Sequence, residues 1–276
     1  MADVETITDG ALALERCADL LRADPVGCNM VASVLRPPLP TELTRVSDAE
    51  RTLAVAVAWP PGITLARMPA EAHQPIADSL SDGDGWLWGA ADDVLEVSRR
   101  WGERTGGATV LDEMTRVYGL RHTPKHRSTT GAVVAVGPDD SAAIELAARW
   151  ARAFGDDVGH GRTDPFEDTV AQMLRAADEQ RLLTWRSDDS VVAQLLVAPE
   201  RFGVVRIGGV YTPPEQRDRG FASDLTAAVT AEMLRRDTVD EVILNTQSTN
   251  ARTNRLYPRL GFTHAYDALS VHLRAN

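Results

Sequence analysis

Cysteine is nearly absent from this chain. Cys17 and Cys28 are its only two, and they form no C-x-x-C pair, so free thiols in a reducing compartment are expected. No run of about 18 apolar residues occurs, which excludes a predicted membrane span. The opening Met1-Ala-Asp-Val-Glu-Thr has no basic stretch of the kind a signal peptide needs, and the expected location is cytoplasmic. Positive charge is scarce: 29 Lys and Arg stand against 40 Asp and Glu, a net charge of −11. That balance argues against nucleic-acid binding and is compatible with a cationic acceptor such as a small amine. Two phosphate motifs are missing as well. Without G-x-G-x-x-G there is no support for a Rossmann-type dinucleotide site, and without G-x-x-x-x-G-K-[ST] a nucleotide-hydrolysing P-loop is excluded. The 43% hydrophobic and 25% charged content is that of a soluble globular protein, and 276 residues suffice for two domains.

The most informative stretch runs from Val204 to Val229. Val204–Tyr211 reads as a buried strand, with a bulge expected at Gly208-Gly209. Thr212-Pro213-Pro214 stops it, because proline cannot donate to a ladder. From Asp224 to Arg236, Leu225, Val229, Met233 and Leu234 share one helical face. Between strand and helix lies Arg217-Asp-Arg-Gly-Phe-Ala222. A glycine turn that opens a helix presents free N–H groups at the positive end of the helix dipole, which suits a phosphate or pyrophosphate. The same residues also suit an ordinary strand–turn–helix joint.

Glu241–Thr246 reads as the next strand, followed by Asn250-A-R-T-N-R-L-Y-P-R-L-G-Phe262. Asn250, Asn254 and Tyr257 are spaced by four and three along a short helix, and Gly261 stops it. Together these two segments resemble the signatures of the GNAT superfamily of N-acetyltransferases. Arg217, Gly220 and Ala222 match its R/Q-x-x-G-x-G/A loop, and Asn250, Tyr257 and Leu260-Gly261-Phe262 match its second signature. The resemblance is specific over residues 204–262.

The resemblance implies a GNAT fold, a mixed and mostly antiparallel sheet flanked by helices, and acetyl-CoA as cosubstrate with no metal. It places the cofactor on Val210, Tyr211, Thr212, Arg217, Asp218, Arg219, Gly220, Phe221, Ala222, Ser223, Asn250, Asn254 and Tyr257. The Val210 N–H would hold the thioester carbonyl oxygen, and the Tyr257 phenol, with an ordinary pKa of about 10, would protonate the departing thiolate. Arg217, Arg219, Arg252 and Arg255 would supply positive charge. Residues 204–211 contain no Asp or Glu, so the base for the amine is left open among Asp156, Asp157, His160, Asp164, Glu167 and a water chain.

Elsewhere, helices are expected over residues 10–22, 70–80, 92–104 and 165–179, with another capped by Pro138-Asp139-Asp140-Ser141 and running to about Phe154. Strands are expected at 51–59, 62–68, 132–136, 182–186 and 191–198, with a loop at 25–40 and a strand pair at 108–118. Ser81–Gly85 lacks the ligands of a calcium loop and reads as a turn. His122 and His126 are separated by Pro124 and flanked by cations, which rejects a metal site. Three segments follow: a degenerate GNAT-like domain over 1–120 without cofactor, whose turn Leu65–Glu71 has no glycine; a linker at 121–130; and a catalytic domain over 131–276. The expected reaction is direct acetyl transfer to a small primary amine, by a monomer or homodimer acting without nucleic acid or membrane. A non-catalytic acetyl-CoA-sensing module and an enzyme for protein lysines or N-termini are the alternatives.

Overall fold

The computed structural model describes residues 2–35, 42–49, 51–59, 62–126, 130–161 and 163–276. Part of the expected 25–40 loop, the Pro60-Pro61 turn and linker residues 127–129 lie outside the described residues. The chain divides into two units. One comprises Met1–Val117, Thr246–Ser248 and His264–Asn276; the other comprises Tyr118–Asn245 and Thr249–Thr263.

In the first unit the order is β1 (Asp3–Ile7), α1 (Gly10–Ala23), α2 (Asn29–Val34), β2 (Leu43–Asp48), β3 (Arg51–Trp59) and β4 (Gly62–Leu65). A 3₁₀ turn, Ala70–Ala72, leads into α3 (His73–Ser79), followed by β5 (Gly85–Ala90), α4 (Ala91–Thr105) and, as far as Val117, β6 (Ala108–Leu120). The Asp9 carboxylate opens α1 by accepting from the N–H groups of Ala11 and Leu12 at 2.8 and 3.0 Å. Ala13, Cys17 and Leu21, four apart, form its buried face. Buried Cys17 and Cys28 are free thiols, and burial pushes them up to about 11 and about 12. Strands β1 to β4 pair antiparallel, whereas β4 and β5, joined through α3, run parallel. Three strands here were not expected: β1, β2 and β5. All three are short, of five or six residues, and glycine flanks the Trp-Leu-Trp core of β5 on both sides. The strand pair expected at 108–118 is one strand, since nothing in Ala108–Tyr118 can turn the chain.

The second unit contains β7 (Ala132–Ala135), α5 (Ser141–Asp157), α6 (Phe166–Asp178), β8 (Leu182–Ser187), β9 (Ser190–Val197), β10 (Val204–Tyr211), α7 (Phe221–Met233), β11 (Glu241–Gln247) as far as Asn245, and α8 (Ala251–Leu260). Strands β7 to β10 pair antiparallel in succession, and β10 pairs with β11 in parallel. The helix predicted to end near Phe154 continues to Asp157, because the Val158 N–H still finds the Phe154 carbonyl at 3.1 Å. One core cluster joins Val205, Ile207, Phe221, Leu225, Leu244, Tyr257 and Phe262, while Ile144, Ala147, Met173 and Ala177 build another under α5 and α6.

Two boundaries differ from expectation. The described part of the 121–130 linker is tied down within the second unit: Arg121 pairs with Glu241 at 2.9 Å, the Lys125 N–H donates to the Leu260 carbonyl at 2.9 Å, and His126 bonds Asp224. At the other end, within the segment expected to close the catalytic domain, lies a single strand, β12 (Thr263–Arg274). From His264 onward it belongs to the first unit, where Ala268–Leu273 pair antiparallel with Ala90–Gly85 of β5. Its alternating Leu269, Val271 and Leu273 enter the first unit's core beside Leu87, Val97 and Trp101.

Leu273→Ala should therefore lower stability by about 2–5 kcal/mol, because it empties a core site more than 250 positions away in sequence from the first strand of that unit. Denaturant unfolding checks this. A midpoint equal to that of the wild type would mean that the C-terminal strand contributes nothing to the first unit.

Candidate active site

The site begins where β10 departs from its neighbours. Gly208 pairs with Leu196, and the next pair is Tyr211 with Gln194, so Gly209 and Val210 stand opposite the single residue Leu195. This is the expected bulge. Gly209 has φ +58°, a left-handed conformation that favours glycine. On the other side, the parallel register with β11 ends at Ile207–Leu244 although both strands continue. From Gly208 onward, β10 therefore has an edge outside the ladder, and half-buried Val210 packs on the cluster that contains Tyr257 and Phe221.

After Tyr211 the chain passes Pro213 into a 3₁₀ turn, Pro214–Gln216, and then into the arginine loop. Asp218 and Gly220 both have positive φ, +63° and +88°. Gly220 is the N-cap of α7, and no side chain caps that helix. The first intrahelical bond comes from the Asp224 N–H to the Gly220 carbonyl at 3.0 Å, which leaves the amides of Phe221, Ala222 and Ser223 without intrahelical partners. A Cβ placed on Gly220 would meet nothing within 4 Å, so the space in front of these amides is open. This is a cradle that fits a pyrophosphate. The Phe221 side chain itself is buried in the core, so only its backbone can serve a ligand.

The arginines are engaged within the loop region. Arg217 donates to the Thr212 carbonyl at 3.0 Å, lies 5.7 Å from the Tyr211 ring centre and forms an ion pair with Asp157 at the end of α5. Arg219 bonds Gln216 at 2.6 Å and covers the Phe221 ring. Arg252 bonds Asp218 at 2.6 Å and so ties the second signature to the first. The Thr212 hydroxyl is buried without a hydrogen-bond partner among the described residues.

Asn250 caps α8, accepting from the Thr253 N–H at 3.2 Å. The Asn254 amide donates to the Asn250 carbonyl at 2.8 Å and accepts from the Tyr118 hydroxyl at 2.8 Å. Both asparagine side chains thus brace the helix. Tyr257 is buried, with its ring 5.9 Å from that of Tyr118 and 6.0 Å from that of Phe262. Burial, with the Tyr118 phenol a lesser cause, raises its pKa well above the ordinary value.

Among the candidate bases, Asp157 is engaged by Arg217, and the Asp164 carbonyl accepts from Arg152. Two features were not read from sequence. Asp224, fully buried in the first turn of α7, bonds His126. Tyr118 reaches Asn254 and Tyr257 across more than 130 residues, and no local pattern announces such a contact. No group of three or more His, Cys, Asp and Glu that could hold a metal ion occurs among the described residues.

Residues 141–262 match the family model of the acetyltransferase (GNAT) family. No curated protein matches the sequence. Among solved structures, the chain is similar to an acetyltransferase of the GNAT family from Colwellia psychrerythraea, with 12% identity, 99% of this chain and 100% of that one covered, and a TM-score of 0.62. A GCN5-related N-acetyltransferase from Sphaerobacter thermophilus follows at 16% identity, 99% and 95% coverage and a TM-score of 0.62. A tandem GNAT protein from the clavulanic acid biosynthesis pathway is similar at 13% identity, 100% and 98% coverage and a TM-score of 0.58. At such identities the likeness shows the fold, which is that of tandem GNAT proteins.

The raised pKa of Tyr257 makes a stability prediction. Its contribution is fully present below the unfolded-state pKa of about 10 and is lost as pH rises beyond it, because only the unfolded chain then ionises. Stability should fall by about 1.4 kcal/mol per pH unit for this group above pH ~10. Tyr257→Phe should remove that slope in denaturant unfolding; an unchanged slope would show that Tyr257 titrates as an exposed phenol.

Proposed function

We propose that this chain, whose residues 141–262 form a domain of the acetyltransferase (GNAT) family, transfers an acetyl group from acetyl-CoA to a primary amine of a small molecule by direct attack. The carrying observation is the succession in one short stretch of a bulge, a proline stop and an uncapped helix opened by Gly220. The Gly209–Val210 bulge takes backbone out of the ladder, and the Val210 N–H is our donor for the charge that gathers on the thioester carbonyl oxygen. Amides at the start of α7 hold the pyrophosphate. Tyr257 protonates the departing thiolate; a phenol bears its proton at neutral pH already at the ordinary pKa of about 10, and burial raises that value further. Val204–Tyr211 carries no acid or histidine, so the base for the amine comes from outside β10.

We assign the cosubstrate to the second unit alone. In the first unit, the segment between β4 and α3 has no glycine, and Asp93 already accepts from the Met68 N–H at 3.2 Å while bonding His73 at 2.8 Å. A carboxylate there disfavours a second anion. No described helix is long and apolar enough to cross a membrane. We place the enzyme in the cytoplasm, as a monomer or homodimer.

A thermal-shift titration with acetyl-CoA tests the reading. At about 100 times its dissociation constant the ligand should stabilise the wild type by roughly 2.7 kcal/mol. Gly220→Glu, which puts bulk and negative charge into the cradle, should abolish the shift; normal binding by that variant would remove the loop assignment. Thiol release across a panel of small primary amines then follows, and Tyr257→Phe should slow it by about 10²-fold with acetyl-CoA binding intact. Binding without release on any amine or peptide would point to a sensing module, and release only on peptides to a protein acceptor.

A further inference from the structure

We propose that Tyr118 is a positioning residue for Tyr257, contributed to the active site by a strand that precedes the family domain. The inference rests on the reading of Tyr257 as proton donor and starts from the geometry of α8. Asn254 and Tyr257 lie three apart, hence on one face of that helix. Tyr118 touches both. Its hydroxyl donates to Asn254 Oδ1 at 2.8 Å, and the sense of that bond follows from Asn254 Nδ2 being donated to the Asn250 carbonyl at 2.8 Å. Its ring lies 5.9 Å from the Tyr257 ring at an interplanar angle of 58°.

Tyr118 is 4% exposed, as is Tyr257, so the two phenols are walled from water together. Their hydroxyls are used differently. That of Tyr118 donates to Asn254, whereas that of Tyr257 makes no hydrogen bond among the described residues and its ring packs between those of Tyr118 and Phe262. A phenol that must give up a proton and regain it in each cycle needs a fixed orientation and a constant environment, and these two contacts supply both. Chain position adds to the case: Tyr118 lies in the second unit although the rest of β6 up to Val117 lies in the first, and it falls outside residues 141–262.

The test separates this role from scaffolding. The chain has four tyrosines, so ionisation followed by phenolate absorbance can be assigned by difference. In the wild type, Tyr257 should be the tyrosine that ionises last, identified by its disappearance in Tyr257→Phe. Tyr118→Leu, which removes the wall, should move that titration to lower pH and the alkaline limb of thiol release with it. Tyr118→Phe keeps the ring and removes the hydroxyl that bonds Asn254; it should lower kcat about fivefold with the KM for acetyl-CoA unchanged. Neither substitution at Tyr118 should slow the Tyr257→Phe protein further.

A Tyr257→Phe enzyme with full turnover would sink the proton-donor reading itself. If Tyr257→Phe slows turnover while Tyr118→Phe and Tyr118→Leu leave kcat and the late titration unmoved, the donor stands and the positioning role is overturned. An equal loss in the presence and absence of the Tyr257 hydroxyl, with the titration unmoved, also overturns it. Should Tyr118→Leu fail to fold, Tyr118→Phe decides alone through kcat and the double variant.

Discussion

Everything at the candidate site depends on β10 being paired along one half of its length and released along the other. Hydrogen bonds to β11 hold Val204–Ile207, and the ladder then stops while the strand continues. The bulge at Gly209–Val210 breaks the opposite edge at the same level, with Gly209 at φ +58°. A backbone amide can meet a ligand only where no neighbouring strand claims it, and such a stretch survives inside a sheet only if its flanks are anchored. Val204–Ile207 anchors one flank, and the Tyr211–Gln194 pair anchors the other.

The loop that follows handles charge by internal pairing. Asp157 engages Arg217, Asp218 engages Arg252, and Gln216 engages Arg219, so the segment between β10 and α7 is held from α5 on one side and α8 on the other. What remains for an anion is backbone: the first amides of α7, with no side-chain cap and open space above Gly220. That division suits a highly acidic chain. The cationic side chains shape the loop, and the helix terminus supplies the local positive potential.

Both units contain the same crossover, a strand, a helix and a parallel strand: β4–α3–β5 and β10–α7–β11. Their loops differ in kind. In the second unit Gly220 at φ +88° opens a 13-residue helix. In the first, a 3₁₀ turn leads into a seven-residue helix, and Asp93 from α4 takes a loop amide and a histidine. One backbone plan thus leaves helix amides open in one unit and closes on itself in the other. A carboxylate occupies in the first unit the role that free amides leave open in the second.

Local chemistry determined much by itself. Prolines at 213 and 214 had to end β10, paired glycines had to weaken it at the bulge, Gly220 and Gly261 had to sit where φ is positive, and the 3.6-residue spacing set α4, α5, α6 and α8. The glycine turn before α7 and the Asn250 cap of α8 were legible for the same reason, since each is formed within a few residues of chain. Their partners were not. Whether Asn254 braces a helix or meets a ligand, which acid holds Arg217, and that Tyr118 stands against Tyr257 are questions of distance between remote segments. So is the placement of β12: its alternation predicts a half-buried strand, but only the tertiary structure sets it beside β5, because an alternating strand satisfies its hydrogen bonds at any open edge and the core that accepts Leu269, Val271 and Leu273 chooses among them.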